Sequence, residues 1–229
     1  MSRRLTRPLA VALLATLALT AAGCTATGGA PTASPTATAD AQTREQTAAA
    51  IGDSIAIGYG VPADDAWPLL VARRVGWNLT DLADAGSGFT RRGGSSHLFD
   101  DQISAVIRLH PDIVLLAATR NDVDAPVAAM QAATTAGVQR LRAALPHARI
   151  IGVGPIWGAD EPTAAVAAVD AAARSAVLGV RGSWVEIGQP LTGHPELLQP
   201  DGKHPTVEGQ QAIAKAVAAK VATLLARGS

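Results

Sequence analysis

Aromatic side chains are scarce: Phe, Tyr and Trp together make up 3% of the 229 residues. Hydrophobic residues still reach 48%, so a core is available, but it must be built from Ala, Val, Leu and Ile packed tightly. A parallel sheet covered by helices on both faces has that character. Cysteine occurs once, at Cys24, which rules out an intramolecular disulfide. Neither sign of charge predominates, since 19 basic residues balance 19 acidic ones. Losing Arg3, Arg4 and Arg7 with a leader leaves 16 against 19, a net charge of −3. That is no footprint for nucleic acid, and no nucleic-acid partner is expected. No internal repeat and no second folded domain is visible.

The first 23 residues read as a signal peptide. Arg3, Arg4 and Arg7 form a positive head, Leu9 to Leu19 an apolar run, and Ala21-Ala-Gly-Cys24 a small-residue end. The run is shorter than the ~20 residues a spanning helix needs. Ser2-Arg-Arg4 hints at twin-arginine export but lacks the usual following Phe. From Thr25 to Thr47 no apolar side chain is larger than Ala apart from proline rings, so this stretch cannot offset the entropy of ordering. Residues 24–47 are therefore expected to be a disordered tether, spanning on the order of 30 Å as a coil. A single folded domain is expected over 48–229.

Within that domain, apolar runs alternate with helical patterns. Strands are predicted near 48–52, 77–83, 113–118, 150–153 and 184–187, and helices near 66–75, 98–109, 126–145, 164–178 and from Pro205 onward. Ile103, Val106 and Ile107 share one helix face, and Ile213, Val217, Val221 and Leu224 another. His110-Pro111 and Pro146 stop two of the helices. Such alternation argues for a three-layer α/β/α sandwich with a parallel five-stranded sheet and right-handed crossovers. In such a sheet the strands' carboxyl ends open into a crevice. Gly52-Asp-Ser54, Asp84-Ala-Gly86, Thr119-Arg-Asn121-Asp122 and Asp201-Gly-Lys-His204 all gather there.

A serine, backbone amides, an amide side chain and an Asp-His pair are what acyl transfer needs. A serine hydroxyl is a poor nucleophile at neutral pH and requires an adjacent base. His204 fits that role, with Asp201 three positions earlier to orient it. Position 56 is Ala, so Ser54 is not in a Gly-x-Ser-x-Gly elbow, which counts against the ordinary α/β-hydrolase arrangement. The four blocks, in chain order, resemble those of the SGNH hydrolases, the GDSL-type esterase and lipase superfamily. The resemblance spans residues 48–229 and implies Ser54, Asp201 and His204 as catalytic residues. It also implies an oxyanion hole from the Ser54 and Gly86 amides and the Asn121 side chain, with flavodoxin-like strand order. Asp122 is implied to be a structural partner in its block. One departure is visible: Thr119 stands where Gly is usual, adding a stiff branched side chain beside Asn121.

Each of these residues taken singly has a plainer reading. Ser54 could cap a helix, Gly86 and Asn121 could be turn residues, and Asp201 could cap the last helix with His204 at the surface. Asp53 and Asp122 are expected to bind backbone amides. His97 and His194 are second choices as base, while His110 and His147, beside prolines, are expected to be structural. Arg91, Arg92 and Arg120 could meet an acidic substrate or simply be solvated, and Trp157 could be a sugar platform or core.

The expected activity is hydrolysis of short-chain acyl esters through an acyl-enzyme, with cell-envelope or extracellular glycans as candidate substrates. Acyl transfer to an alcohol would use the same residues, and a non-catalytic glycan- or lipid-binding protein would keep the fold alone. A metallophosphoesterase could use Gly-Asp and Asn-Asp pairs, but no Asp-x-His or His-rich set accompanies them; neither metal nor cofactor is expected. Cys24 after Ala-Ala-Gly resembles the lipobox of bacterial lipoproteins, which implies a lipidated thiol and a domain held at the outer face of the cell membrane; a monomer is expected. A plain secretory leader is the alternative.

Overall fold

The computed structural model describes residues 45–226. The expected signal peptide, Cys24 and the tether up to residue 44 lie outside them. Five parallel strands are present: β1 (Gln46–Ile51), β2 (Trp77–Asp81), β3 (Ile113–Ala117), β4 (Arg149–Val153) and β5 (Ser183–Val185), in the order β2-β1-β3-β4-β5. Five helices follow them in alternation: α1 (Trp67–Val75), α2 (Phe99–Leu109), α3 (Val127–Ala144), α4 (Ala164–Gly179) and α5 (Val207–Ala226). The expected α/β/α sandwich is therefore the fold.

Each central strand is buried on both faces, and its residues divide by alternation. Ala48, Ala50, Ile113, Leu115, Ile151 and Val153 pack with Val71 of α1 and Ile213, Val217 and Val221 of α5. Ala49, Ile51, Val114, Leu116 and Ile150 pack on the opposite side with Ile103, Val106, Val138, Leu141 and Val177 of α2, α3 and α4. Small residues in β1 let both helical layers approach closely, which is how a core with few aromatics reaches native density.

Four boundaries differ from expectation by two residues, the first being the end of β2 at Asp81, whose Oδ1 accepts Ala83 N–H at 3.0 Å. Strand β1 begins at Gln46, so Gln46 and Thr47 belong to the sheet and not to the tether; they pair with Trp77 and Asn78. Asp112 holds Thr47 there, accepting from both its N–H and its hydroxyl at 2.8 Å. Strand β5 stops at Val185, two residues early; Glu186 turns outward to Arg174, and Gly188 takes a left-handed conformation (φ 64°). Helix α5 begins at Val207, because Pro205 is bridged to Leu198 and Thr206 Oγ1 accepts from Gly209 N–H at 3.2 Å as a cap.

Candidate active site

The end of β1 runs into Gly52-Asp53-Ser54, where there is no room for side chains. A Cβ on Gly52 would lie 2.3 Å from that of Ala56. Ser54 sits at the head of a tight turn closed by Ile57 N–H to Asp53 O (3.0 Å) and Tyr59 N–H to Ser54 O (2.9 Å). Two glutamines clamp this turn from opposite helical layers. Gln102 of α2 accepts from Gly52 N–H and donates to Gly52 O, both at 2.9 Å, and to the Ser87 hydroxyl at 2.8 Å. Gln210 of α5 accepts from Trp67 N–H (2.9 Å) and donates to Ile55 O (3.0 Å). Both are buried, so their amide groups depend on these partners.

Ser54 Oγ is 2.9 Å from His204 Nε2, and His204 Nδ1 is 2.6 Å from Asp201 Oδ2. The other Asp201 oxygen accepts the backbone N–H groups of Lys203 (2.9 Å) and His204 (3.0 Å). Those hydrogen bonds hold its carboxyl well below the usual carboxylate range, so it stays ionised beside the imidazole. The His204 ring also stacks at 4.6 Å on Tyr59, a largely exposed side chain. Gln199 ties the two loops together, its amide nitrogen donating to Tyr59 O (2.7 Å) and to Pro205 O (2.9 Å).

Across the cleft stand Gly86 and Asn121. Gly86 has φ +78°, a conformation that a side chain would resist, and lines the cleft. Asn121, which lines the cleft, donates from its amide nitrogen to Ser87 O at 3.0 Å and has a longer contact with Asp53 Oδ2 at 3.5 Å. Among the described residues, the backbone N–H groups of Ser54 and Gly86 have no protein acceptor.

Thr119, the residue that departs from the usual block, is fully buried and serves as a junction. Its hydroxyl bonds Asp53 Oδ2 (2.7 Å), lies 3.2 Å from Ser87 O, and accepts Asn121 N–H (2.9 Å). Burial pushes the Asp53 carboxyl above its usual range, with the Thr119 and Ile55 hydrogen bonds acting against that shift. Asp122 grips the other loop, accepting from Phe89 N–H (2.8 Å) and from Thr90 N–H (2.9 Å) and hydroxyl (2.6 Å). A Cβ on Gly88 would strike that carboxylate at 2.6 Å.

Four of the five residues singled out in the sequence, Ser54, Gly86, Asn121 and His204, thus line one cleft of about 440 Å³, walled further by Ile55, Tyr59, Arg91, Arg120, Val123 and Trp157, with Asp201 behind His204. Residues 50–212 match the model of the GDSL-like Lipase/Acylhydrolase family. The chain belongs to that family. As a GDSL-like acylhydrolase it is a carboxylic ester hydrolase. No match among curated proteins reaches significance. Solved structures share the fold. A psychrotrophic esterase from Pseudoalteromonas sp., captured inhibited by monoethylphosphonate, is 19% identical, with a TM-score of 0.64 over 79% of this chain and 99% of its own. A family two carbohydrate esterase from Clostridium thermocellum, in complex with cellohexaose, is 18% identical, with a TM-score of 0.65 over 80% of this chain and 65% of its own. A salicylyl-acyltransferase from a tetracycline biosynthetic pathway is 22% identical, with a TM-score of 0.64 over 80% of this chain and 56% of its own.

The remaining candidates fall elsewhere. His194 is exposed and pairs with Glu196 at 2.8 Å, and neither it nor His97 lines the cleft. Arg120 and Trp157 do line it, and lie against one another. The sequence did not mark Gln102, Gln210, Gln199 or Tyr59. A signal existed for the first two, since each is a polar residue on the apolar stripe of its helix.

Proposed function

We propose that this GDSL-like hydrolase cleaves short-chain acyl esters through a covalent acyl-enzyme on Ser54. The observation that carries the reading is the unbroken relay from Ser54 Oγ through His204 to Asp201, at 2.9 and 2.6 Å. Ser54 Oγ attacks the ester carbonyl while His204 Nε2 takes its proton, and the ionised Asp201 steadies the imidazolium. The carbonyl oxygen, now negative, receives the Ser54 and Gly86 N–H groups and an Asn121 amide hydrogen that gives up its long contact with Asp53. Collapse expels the alcohol, which takes the proton from His204. Water then attacks the acyl-serine by the same route in reverse and releases the acid.

Chain length follows from the cleft's walls. Ile55, Tyr59, Val123 and Trp157 are its larger apolar side chains, set among glycine and polar residues. A wall of that kind supports an acetyl to butyryl group and offers no tunnel for a long chain. A glycan alcohol is supported by the fold shared with the cellohexaose-bound carbohydrate esterase and by the indole of Trp157 at the rim. The Ala-Ala-Gly-Cys24 sequence supports attachment to the outer face of a membrane.

The deciding experiment is a fluorophosphonate probe with an intact-mass readout, run beside ester turnover. Wild type gains one adduct and loses activity. Ser54→Ala takes no adduct and turns over about a millionfold more slowly. A labelled or active Ser54→Ala protein would falsify the nucleophile assignment. Cys24→Ser, compared with wild type by membrane fractionation, tests the anchor separately.

A further inference from the structure

The chain as a whole carries 19 basic and 19 acidic residues, yet the cleft is not balanced. Arg91, Arg120 and Lys203 line it, against Asp124 as its one lining carboxylate. Of the three cations, Arg91 and Lys203 are exposed and solvated, while Arg120 is half-buried. Burial acts against its charge, but a guanidinium remains protonated throughout the working pH range.

Two contacts fix the Arg120 guanidinium. One of its N–H groups donates to the Trp157 backbone carbonyl, and its central carbon lies 4.2 Å from the centre of the Trp157 ring. Stacking and a hydrogen bond together set the plane of the group and leave its remaining N–H donors for a ligand. Among the described residues no carboxylate pairs with it. Asp53 and Asp201 attract it from a distance, but both are engaged elsewhere: Asp53 with Thr119 and Ile55, Asp201 with His204 and two backbone amides. The contrast with exposed arginines is instructive, because Arg140 and Arg174 each have an acid, Asp100 and Glu186. Arg142, half-buried and also without an acid, spends its N–H groups on four backbone carbonyls, whereas Arg120 has the one Trp157 carbonyl and donors left over that a ligand can take.

We propose that the cleft selects esters bearing a carboxylate or phosphate beside the scissile bond, and that Arg120, held flat on Trp157, reads that charge. The inference rests on the serine-hydrolase reading of the same cleft. Strand order places Ser54 between the two cationic walls, with Arg91 after β2 on one side and Arg120 after β3 on the other. An anionic group on the β3 side of Ser54 therefore meets Arg120, the cation with fixed contacts, whereas Arg91 on the other side is solvated.

The test uses matched esters on the full chain. Acetyl esters of glucose, glucuronate and glucose phosphate place no charge, a carboxylate or a phosphate on the alcohol; para-nitrophenyl butyrate and hemisuccinate do the same for the acyl part. At low salt, kcat/KM for a charged ester should exceed its neutral twin by about tenfold or more, as charge-assisted hydrogen bonds permit. The gain should lie mainly in KM and shrink at about 1 M salt. Arg120→Gln should bring the ratio to near one, and Arg120→Lys should keep part of it. Charged esters that are no better than neutral ones, or a preference that survives Arg120→Gln, would overturn the inference. Calorimetric titration of Ser54→Ala with the same pairs separates the two readings. Tighter binding of the charged twin without any wild-type turnover would sink the hydrolase reading alone. Turnover without charge preference would sink only this inference, and neither turnover nor preference would sink both.

Discussion

The two edges of the sheet are built on opposite principles. At the carboxyl edge, Asp53, Ser54, Ser87, Gln102, Thr119, Asp122 and Gln210 are all buried; the only other buried polar side chain among the described residues is Thr134, midway along α3. At the amino edge the polar side chains are at most half-buried, apart from the Trp77 indole N–H, which is buried without a partner. There the half-buried Arg142 closes the loops by donating to the carbonyls of Val180 (3.1 Å), Leu145 (3.1 Å), Pro146 (2.9 Å) and Ala148 (2.8 Å). Buried polar networks are costly when incomplete and rigid when complete. Concentrating them at one edge gives this molecule a precise end and a merely closed end, and the precise end is the one that the proposed reaction uses.

The largest way to break the comparison is to exchange effects between the edges. Asp201→Asn leaves a side chain that still accepts the two loop amides but presents the wrong partner to His204. Turnover should fall about ten-thousandfold with little change in Tm, since the side chain is substantially exposed. At the far edge, Arg142→Met should behave conversely, losing about 2 kcal/mol of stability while kcat/KM per folded molecule stays as in wild type. Urea titration and steady-state kinetics on both variants decide it. An Arg142→Met protein with impaired kcat would show that the edges are coupled.

How much of this was legible in the sequence follows the same division. The alternation of apolar runs with helical stripes announces the sandwich, because burial on both faces leaves a continuous apolar strand such as Ile113–Ala117. Ser54, Asp201 and His204 were legible as short blocks, because each stands at a strand or loop end where a motif is local. The support beneath them was not. Gln102 reaches Gly52 across 50 positions and Gln210 reaches Ile55 across 155, and no local pattern encodes such a pairing. Thr119 was legible only as a departure; what it joins depends on three loops arriving together. The start of β1 was hidden because Thr47 is held by Asp112, a partner 65 positions away.

The buried junction at the carboxyl edge can be dissected with two further variants. Gln102→Leu keeps the volume but orphans the Gly52 amide and carbonyl and the Ser87 hydroxyl, which should cost about 2–4 kcal/mol and lower kcat through a looser turn. Thr119→Val is shape-conserving and removes one hydroxyl, leaving Asp53 Oδ2 and Asn121 N–H each short of a partner. Its cost should be smaller, about 1–2 kcal/mol, with a several-fold loss in kcat and KM little changed. Chemical denaturation ranks the pair. If Thr119→Val proves as active and stable as wild type, the junction is incidental and the residue only fills space.

The smallest expected effect asks whether the strain of buried polarity extends beyond the cleft. Asp81 ends β2 at the same edge but lines no part of the site. Its Oδ1 accepts Ala83 N–H at 3.0 Å, and burial pushes its carboxyl up to about 6. A raised native value against 3.8 in the unfolded chain means that the folded state holds the proton more tightly. The associated stability is fully present below about pH 4 and is lost as pH rises through about 6. Asp81→Asn keeps the acceptor oxygen and removes the charge. The variant should therefore exceed wild type by about 1–2 kcal/mol at neutral pH, discounted from the full shift because the side chain is only partly covered. The advantage should vanish near pH 4, with kcat/KM unchanged at either pH. Tm measured for both proteins from pH 4 to 8 reads this directly. A difference that stays constant over that range would mean that Asp81 is ionised at no cost, and that the expense of buried polarity at this edge is confined to the catalytic cleft.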